Sequence, residues 1–285
     1  MTYQEVWTGG LKMLQNAGIE DARECTGVLF ERVYGIDAAH FILHRDETAP
    51  AELRHEFRML IERRCHHEPL QYIMGTCGFM NWDFFVNKSV LIPRQDTETL
   101  VEEFITDITR VRPTKILRIL DLCTGSGCIG ISVKKYLDKL GFPSKMTLAD
   151  ISVEALTVAR KNARDNEAIV DFVISDMFEN LKGQQYDAIL CNPPYIPTAD
   201  CAELMPEVGW FEPRQALDGG EDGLDFYRRL AAEAKEHLLP GPGLYMEIGF
   251  DQAKTAGRLF HDAGWSRISL RQDLAGNDRV LKVRP

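Results

Sequence analysis

Residues 116–130 read Ile-Leu-Arg-Ile-Leu-Asp-Leu-Cys-Thr-Gly-Ser-Gly-Cys-Ile-Gly. The apolar run 116–123 favours a buried strand. It turns through glycines into a helix with Ile129, Val133, Leu137 and Leu140 on one face. A strand, a glycine loop and a helix open a doubly wound α/β sheet. Downstream, strands are expected at 146–150, 170–176, 186–191 and 244–248. Helices alternate with them, one capped by Ser152 and running to about 166, others near 223–238 and 251–263. Two last runs, 267–271 and 279–283, flank the turn-rich Ala275-Gly276-Asn277-Asp278 and predict an antiparallel hairpin at the sheet edge. Residues 113–285 thus read as a mostly parallel, doubly wound α/β domain.

Working back from Pro113, residues 75–112 change character. Phe79, Trp82, Phe84, Phe85 and Val86, then Val90, Leu91 and Ile92, suggest two short strands turning at Asn87-Lys88-Ser89, followed by a helix at about 98–109. Residues 1–74 read as a small helical bundle. One stripe runs from Val6 and Trp7 to Leu14 and stops at Ala17-Gly18. A second carries Ala22, Cys25, Val28, Leu29 and Val33 and stops at Gly35. A third, opened by Pro50, carries Leu53, Phe57, Leu60 and Ile61.

Composition narrows the function classes. The 285 residues are 45% apolar and 27% charged, which excludes disordered and collagen-like chains. Formal charge is −10, and residues 1–112 carry 12 basic against 18 acidic side chains. Neither part is a basic module, so direct binding to nucleic acid is not expected. Seven cysteines with no Cys-x-x-Cys read as reduced thiols in the cytoplasm and not as a zinc site or disulfide framework. No apolar run reaches the ~20 residues of a membrane span, and the first residues lack a signal-peptide pattern.

Chemistry concentrates after the strands. Asp121-Leu122-Cys123-Thr124-Gly125-Ser126-Gly127 stands at the first strand-to-helix junction, where a ligand can approach the backbone. Gly125-x-Gly127-x-x-Gly130 alone fits a nucleotide as well as an adenosyl cofactor. Asp150, at the end of the second strand, is placed to accept ribose hydroxyls, and Asp176, after the third, to reach an adenine amino group. Asn192-Pro193-Pro194-Tyr195 follows the fourth strand and discriminates further. The prolines aim a carbonyl out of the ladder, and the Asn oxygen makes a second acceptor for a planar –NH₂ group. Tyr195 offers a flat face. Two acceptors stabilise the positive charge that develops on an amide or exocyclic amine nitrogen during methyl transfer.

The whole chain resembles the bacterial release-factor glutamine N5-methyltransferases, the HemK/PrmC family of the class I S-adenosylmethionine-dependent fold. The resemblance rests on Asn192-Pro193-Pro194-Tyr195 together with Glu68-Pro69-Leu70-Gln71-Tyr72-Ile73, Val90-Leu91-Ile92-Pro93-Arg94 and Asp96-Thr97-Glu98. It also includes Glu212-Pro213-Arg214-Gln215-Ala216-Leu217-Asp218-Gly219-Gly220. It implies methyl transfer to the glutamine of a Gly-Gly-Gln loop in class I peptide-chain release factors, leaving S-adenosylhomocysteine. Asp121, Cys123, Thr124, Gly125, Ser126, Gly127, Asp150, Asp176, Met177 and Asn192 would bind the cofactor. Asn192, Pro193, Pro194 and Tyr195 would hold the substrate, with residues 1–74 docking the partner. Three positions depart from the family pattern: Cys123 for Gly, Gln95 for Pro and Met177 for Trp.

Other readings compete. The same tetrapeptide serves N6-adenine methyltransferases, which would want a basic target surface and a means of base extrusion that the chain lacks. A glutamine methyltransferase for a ribosomal protein shares the catalytic residues. A dinucleotide oxidoreductase leaves Asn192-Pro193-Pro194-Tyr195 idle, and a non-catalytic binding protein would have no need of it. Cys65, His66 and His67 read as a solvated helix end without metal spacing, Arg63-Arg64 as a solvated face, and Cys191 as a buried small hydrophobe. Glu247 is near the cleft end of the fifth strand without an assigned role.

Overall fold

The computed structural model describes all residues 1–285. The chain divides into two compact units. One comprises Met1–Gly75 with Met205–Phe211, the other Thr76–Leu204 with Glu212–Pro285.

The first unit is helical: α1 (Tyr3–Asn16), α2 (Ala22–Tyr34), α3 (Ala38–His44), α4 (Ala51–Cys65) and α5 (Leu70–Met74). Thr2 and Glu5 cap α1 reciprocally, and Gly35 ends α2 in the left-handed region. Leu14, Cys25, Leu29 and Ile61 are fully buried, with Phe30 and Phe57 packed edge to face. The sequence predicts three helices. The short α3 and α5 are additions, and α3 buries no residue, which is why no periodic stripe announces it.

The expected solvated Arg63-Arg64 pair holds only for Arg63, half-exposed and paired with Glu68. Arg64 falls three and seven residues after Ile61 and Phe57, on the buried face of α4. It is 5% exposed. Its guanidinium meets Asp21 at 3.3 Å and Glu207 at 3.0 Å. Glu207 also faces His67 Nδ1 at 3.2 Å, so the segment Met205–Phe211 is tied to the helices by its own acidic residue.

The second unit begins with an antiparallel pair, β1 (Thr76–Phe79) and β2 (Trp82–Phe85), and α6 (Glu98–Val111). The hairpin is real, but its turn is at Met80-Asn81, with Met80 at φ 54°, and not at 87–89. The apolar run at 90–92 is no strand. It continues as an irregular segment into Pro93, which has no N–H for a ladder.

There follow β3 (Leu117–Leu122), α7 (Cys128–Lys139), β4 (Ser144–Asp150), α8 (Val153–Asp165), β5 (Asp171–Ile174) and β6 (Tyr186–Cys191). The short α9 (Pro206–Gly209) lies in the segment grouped with the helical unit. Then come α10 (Asp225–Glu233), β7 (Leu238–Glu247), α11 (Ala253–Asp262), β8 (Arg267–Gln272) and β9 (Asp278–Arg284).

The seven strands order as β5-β4-β3-β6-β7-β9-β8. β3 to β7 are parallel, and β9 runs antiparallel between β7 and β8. This is the doubly wound sheet with a terminal hairpin that the alternation predicts. Both faces are covered by apolar layers, and β6 is buried along its whole length. From β3 the chain winds outward through β4 and β5, then returns to lay β6 on the other side. The order therefore reverses between β3 and β6, and such a switch point leaves a crevice at the carboxyl ends of the strands.

Candidate active site

A cleft of about 290 Å³ opens at that switch point. Its walls come from the ends of four strands: Cys123, Thr124, Gly125 and Ser126 after β3; Asp150 and Ile151 at β4; Ser175, Asp176 and Met177 after β5; Asn192 and Pro194 after β6.

The loop after β3 is built from behind by two residues that do not line the cleft, Asp121 and Gly127. Asp121 is fully buried; its Oδ2 accepts from Thr124 Oγ1 and from the Gly130 N–H at 2.9 Å. A Cβ on Gly130 would stand 2.8 Å from Asp121 Oδ2, so only glycine lets α7 begin this close to β3. Burial pushes the Asp121 carboxyl up to about 7, against the two donors that favour its charge. Its Oδ1 has no hydrogen-bond partner. Cys123, which departs from the expected Gly, has φ 58°, the region glycine takes most easily. Its Sγ lies 3.8 Å from Met177 Sδ.

Asp150 accepts the Gly125 N–H at 2.8 Å on one oxygen and the Ser152 N–H at 2.9 Å on the other. A carboxylate has about four lone-pair sites, so the two backbone bonds orient it and leave acceptors for diol hydroxyls. Asp176 lines the cleft too, but its carboxylate is engaged by the Arg229 guanidinium, a partner with no local sequence signal. Ile151, Met177 and Phe226 supply apolar walls. An adenosyl sulfonium fits this site: a diol acceptor, apolar walls for a purine, and open space over Gly125, where a Cβ would meet nothing within 4 Å.

On the other side, Asn192 and Pro194 line the cleft, whereas Pro193 and Tyr195 do not. The Asn192 Nδ2 donates to Thr97 Oγ1 at 3.3 Å. The Tyr195 hydroxyl donates to Glu247 Oε1 at 3.0 Å, away from the face-on role expected for the ring, and burial beside that carboxylate raises its pKa. The Tyr195 carbonyl accepts from Gln252 Nε2 at 2.9 Å. A Cβ on Gly223 would come within 2.4 Å of the same carbonyl.

Sequence reasoning missed several parts. The irregular segment after β2 is a wall of the cleft, through Ser89, Val90, Leu91, Pro93 and Arg94. Arg94 and buried Glu212 form an ion pair that joins two of the quoted motifs. Asn162 of α8 donates to the Ser126 carbonyl at 2.8 Å and exchanges hydrogen bonds with the Phe85 backbone. Gln95 is exposed at the first position of the short helical turn before α6.

Comparison with known proteins identifies the family. The PrmC N-terminal domain family matches residues 5–75, and the methyltransferase small domain family matches residues 95–205. A release factor glutamine methyltransferase of Geobacter sulfurreducens is 41% identical over 278 residues, covering 98% of this chain and 94% of its own length. One from Koribacter versatilis is 35% identical over 286 residues, covering 100% and 99%. Among solved structures, the hMettl16 catalytic domain in complex with MAT2A 3'UTR hairpin 1 covers 82% of this chain and 79% of that one. Its TM-score is 0.51 at 14% identity, a likeness of fold. With relatives this similar from end to end, the chain belongs to the release factor glutamine methyltransferase family.

Proposed function

We propose that this enzyme methylates the side-chain amide nitrogen of the glutamine in the Gly-Gly-Gln loop of class I release factors, and that Asn192 and the Pro193 carbonyl hold that nitrogen. One observation carries the assignment of residues. Asn192 stands in the wall of the same cleft as Asp150 and the Cys123-Thr124-Gly125-Ser126 loop, so its side-chain amide shares that cleft with the place that suits the methyl donor.

S-adenosylmethionine supplies an electrophilic methyl group when bound and is left as S-adenosylhomocysteine. Everything else falls to the protein. Cys123, Thr124, Gly125, Ser126, Asp150, Asp176, Met177 and Asn192 would contact the cofactor, and Asp121 and Gly127 would shape the loop that holds it. The glutamine amide is a poor nucleophile because its nitrogen lone pair is delocalised. Asn192 Oδ1 and the Pro193 carbonyl accept its two N–H bonds and fix the nitrogen in line for attack. As the N–C bond forms, positive charge grows on nitrogen, and the two oxygens stabilise it where it develops. The acidified N–H then gives up its proton to solvent, so no base is needed before transfer. Pro194 and Tyr195 keep the preceding backbone from relaxing.

We assign residues 1–74 to docking the release factor, with 75–112 as the connection to the methyltransferase domain at 113–285. The cytoplasm is the compartment that fits: all seven cysteines are free, and no helix is long and apolar enough to cross a membrane. Incubation with methyl-labelled S-adenosylmethionine and a class I release factor tests the reading. Label should appear on the native factor and vanish when its loop Gln is changed to Ala. Label retained on the altered factor would refute the target, and transfer to a ribosomal protein alone would redirect the assignment.

A further inference from the structure

Asp96-Thr97-Glu98 is part of the family resemblance, yet nothing in the reaction above uses it. Each of its side chains holds a different element. Asp96 pairs with Arg279 of β9 at 3.1 Å, and Glu98 accepts the Met80 N–H of the hairpin turn. Thr97 precedes α6 but its side chain makes no capping bond. Its hydroxyl accepts instead from Asn192 Nδ2.

Glu247 completes the arrangement. In the parallel register of β6 and β7, Met246 pairs with Cys191, so Glu247 is level with Asn192. It is 2% exposed, takes the Tyr195 hydroxyl on Oε1, and leaves Oε2 without a hydrogen-bond partner. Burial raises the pKa of this carboxyl and Asp96 adds to the rise, while the Thr97 and Tyr195 hydroxyls and the Arg279 guanidinium face it and oppose the shift. Arg279 itself is shared between Asp96 and Asp273.

The polarity of this row decides what Asn192 shows to the cleft. A side-chain amide has an acceptor at one end and two donors at the other, and the two ends have nearly the same shape. Turned end for end, Asn192 would present N–H groups to a substrate nitrogen that itself carries N–H groups. A threonine hydroxyl can accept one bond while it donates another, so it does not fix the amide unless its own proton is drawn elsewhere. A carboxylate only accepts. With Glu247 ionised, the Thr97 proton turns to the carboxylate, its lone pair turns to Asn192 Nδ2, and Asn192 Oδ1 is left for the substrate.

We propose that Thr97 and Glu247 are positioning residues for methyl transfer, setting the orientation of the Asn192 amide so that its oxygen faces the substrate nitrogen. This rests on the placement of the glutamine at Asn192. Neither residue needs to touch the substrate.

The test compares Thr97→Val, which keeps the shape and removes the hydroxyl, with Thr97→Ser, which keeps the hydroxyl, and with Glu247→Gln. Each variant of the full chain is assayed with a class I release factor for kcat and KM, and separately for S-adenosylmethionine binding and melting temperature. Thr97→Val is expected to lower kcat about 10- to 100-fold, as small misplacements of a reacting group do. Its cofactor Kd and release-factor KM should stay within about twofold, a margin small on the tenfold-per-1.4 kcal/mol scale. Thr97→Ser should recover most of the rate. Glu247→Gln, which can donate toward Thr97 and reverse the row, should follow Thr97→Val. If it loses rate while Thr97→Val is unstable, the Thr97→Ser rate still decides whether the hydroxyl is what matters. A Thr97→Val enzyme as fast as wild type, or equal losses in the Val and Ser variants, would overturn the proposal. Failure of the unaltered enzyme to label any release factor is a separate result, and it removes the substrate assignment on which the inference stands.

Discussion

The two sides of the cleft are built in opposite ways. The loop after β3 is nearly self-sufficient: its buried carboxylate, Asp121, bonds to Thr124 and Gly130 within nine residues of chain. Two distant side chains bond to its backbone, Asp150 at the Gly125 N–H and Asn162 at the Ser126 carbonyl. The segment after β6 has no such local support. Asn192 leans on Thr97, 95 residues away; Tyr195 leans on Glu247 and Gln252, 52 and 57 residues on. On the proposed reading, backbone close to one glycine loop would recognise the cofactor, and side chains gathered from three elements would aim the substrate. Damage to the first half should therefore appear in cofactor affinity, and damage to the second in turnover.

Asn192→Ala gives the sharpest separation of the two. It removes the side-chain acceptor and should lower kcat by about 10²- to 10³-fold, the cost typical of one lost transition-state hydrogen-bonding group. Cofactor affinity should fall far less, because Asn192 would be one cofactor contact among several and Asp150 and the glycine loop remain intact. Isothermal titration with S-adenosylmethionine beside single-turnover methylation reads both quantities. A loss of cofactor binding equal to the loss of rate would dissolve the division between the two sides.

Gly130→Ala should act on the opposite side. The added methyl meets Asp121 Oδ2 at 2.8 Å and Asp121 Cβ at 2.9 Å, with Leu148 at 3.0 Å. Overpacking of this kind costs about 1–3 kcal/mol. It pushes α7 away from β3 and strains the bond from the Gly130 N–H. Expected are a lower melting temperature and weaker cofactor binding, with kcat at saturating cofactor largely preserved. Gly223→Ala is the matched change across the cleft, its methyl 2.4 Å from the Tyr195 carbonyl, and should lower kcat with less effect on cofactor affinity.

The contrast also explains what could be read in advance. Strand, glycine loop and helix from 117 to 139 are consecutive, so periodicity and glycine placement were enough to find them. Asn192-Pro193-Pro194-Tyr195 announces itself as a tetrapeptide. The groups that orient it do not: Glu247 looks like any polar residue ending a strand, and Gln252 like the start of a surface helix. Only the parallel register of β6 and β7 brings them together. The run at 90–92 failed for a related reason. Its β-branched, apolar composition reflects burial beneath a cleft wall, and composition cannot distinguish that from a ladder. Arg64 reads as solvent-facing by its charge alone, whereas its helix phase with Phe57 and Ile61 marks its face as the buried one.

The buried carboxylate of the cofactor loop should also give a pH signature. Asp121 is pushed up to about 7 in the folded chain, above the ~4 of an unfolded Asp. A raised acid favours the folded state while protonated. Its contribution is therefore complete below about pH 4 and is lost as pH rises toward 7. Melting of the cofactor-free protein should show a falling trend through that window, and Asp121→Asn should flatten it. An equally steep trend in the Asn variant would place the sensitivity elsewhere, with Asp150, also raised by burial, as the next group to examine.

The smallest expected effect concerns the loop's one departure from glycine. Cys123 holds φ at 58°, where a non-glycine residue pays about 1–2 kcal/mol for its Cβ. In return the side chain gains a sulfur contact with Met177, itself at φ 46° and buried against the same cleft. Sulfur contacts of this weak kind return less than the strain costs, and glycine's greater freedom when unfolded takes back part of the relief. Cys123→Gly should therefore raise the melting temperature slightly, by about 2 °C for a net gain near 0.5–1 kcal/mol in a domain of this size. Turnover should not change, because Asn192 and its supports are untouched. A drop in melting temperature would show that Cys123 and Met177 act as a packed pair, each compensating for the other's departure. Cys123→Gly would then destabilise less in a chain where Met177 has already been replaced by Trp.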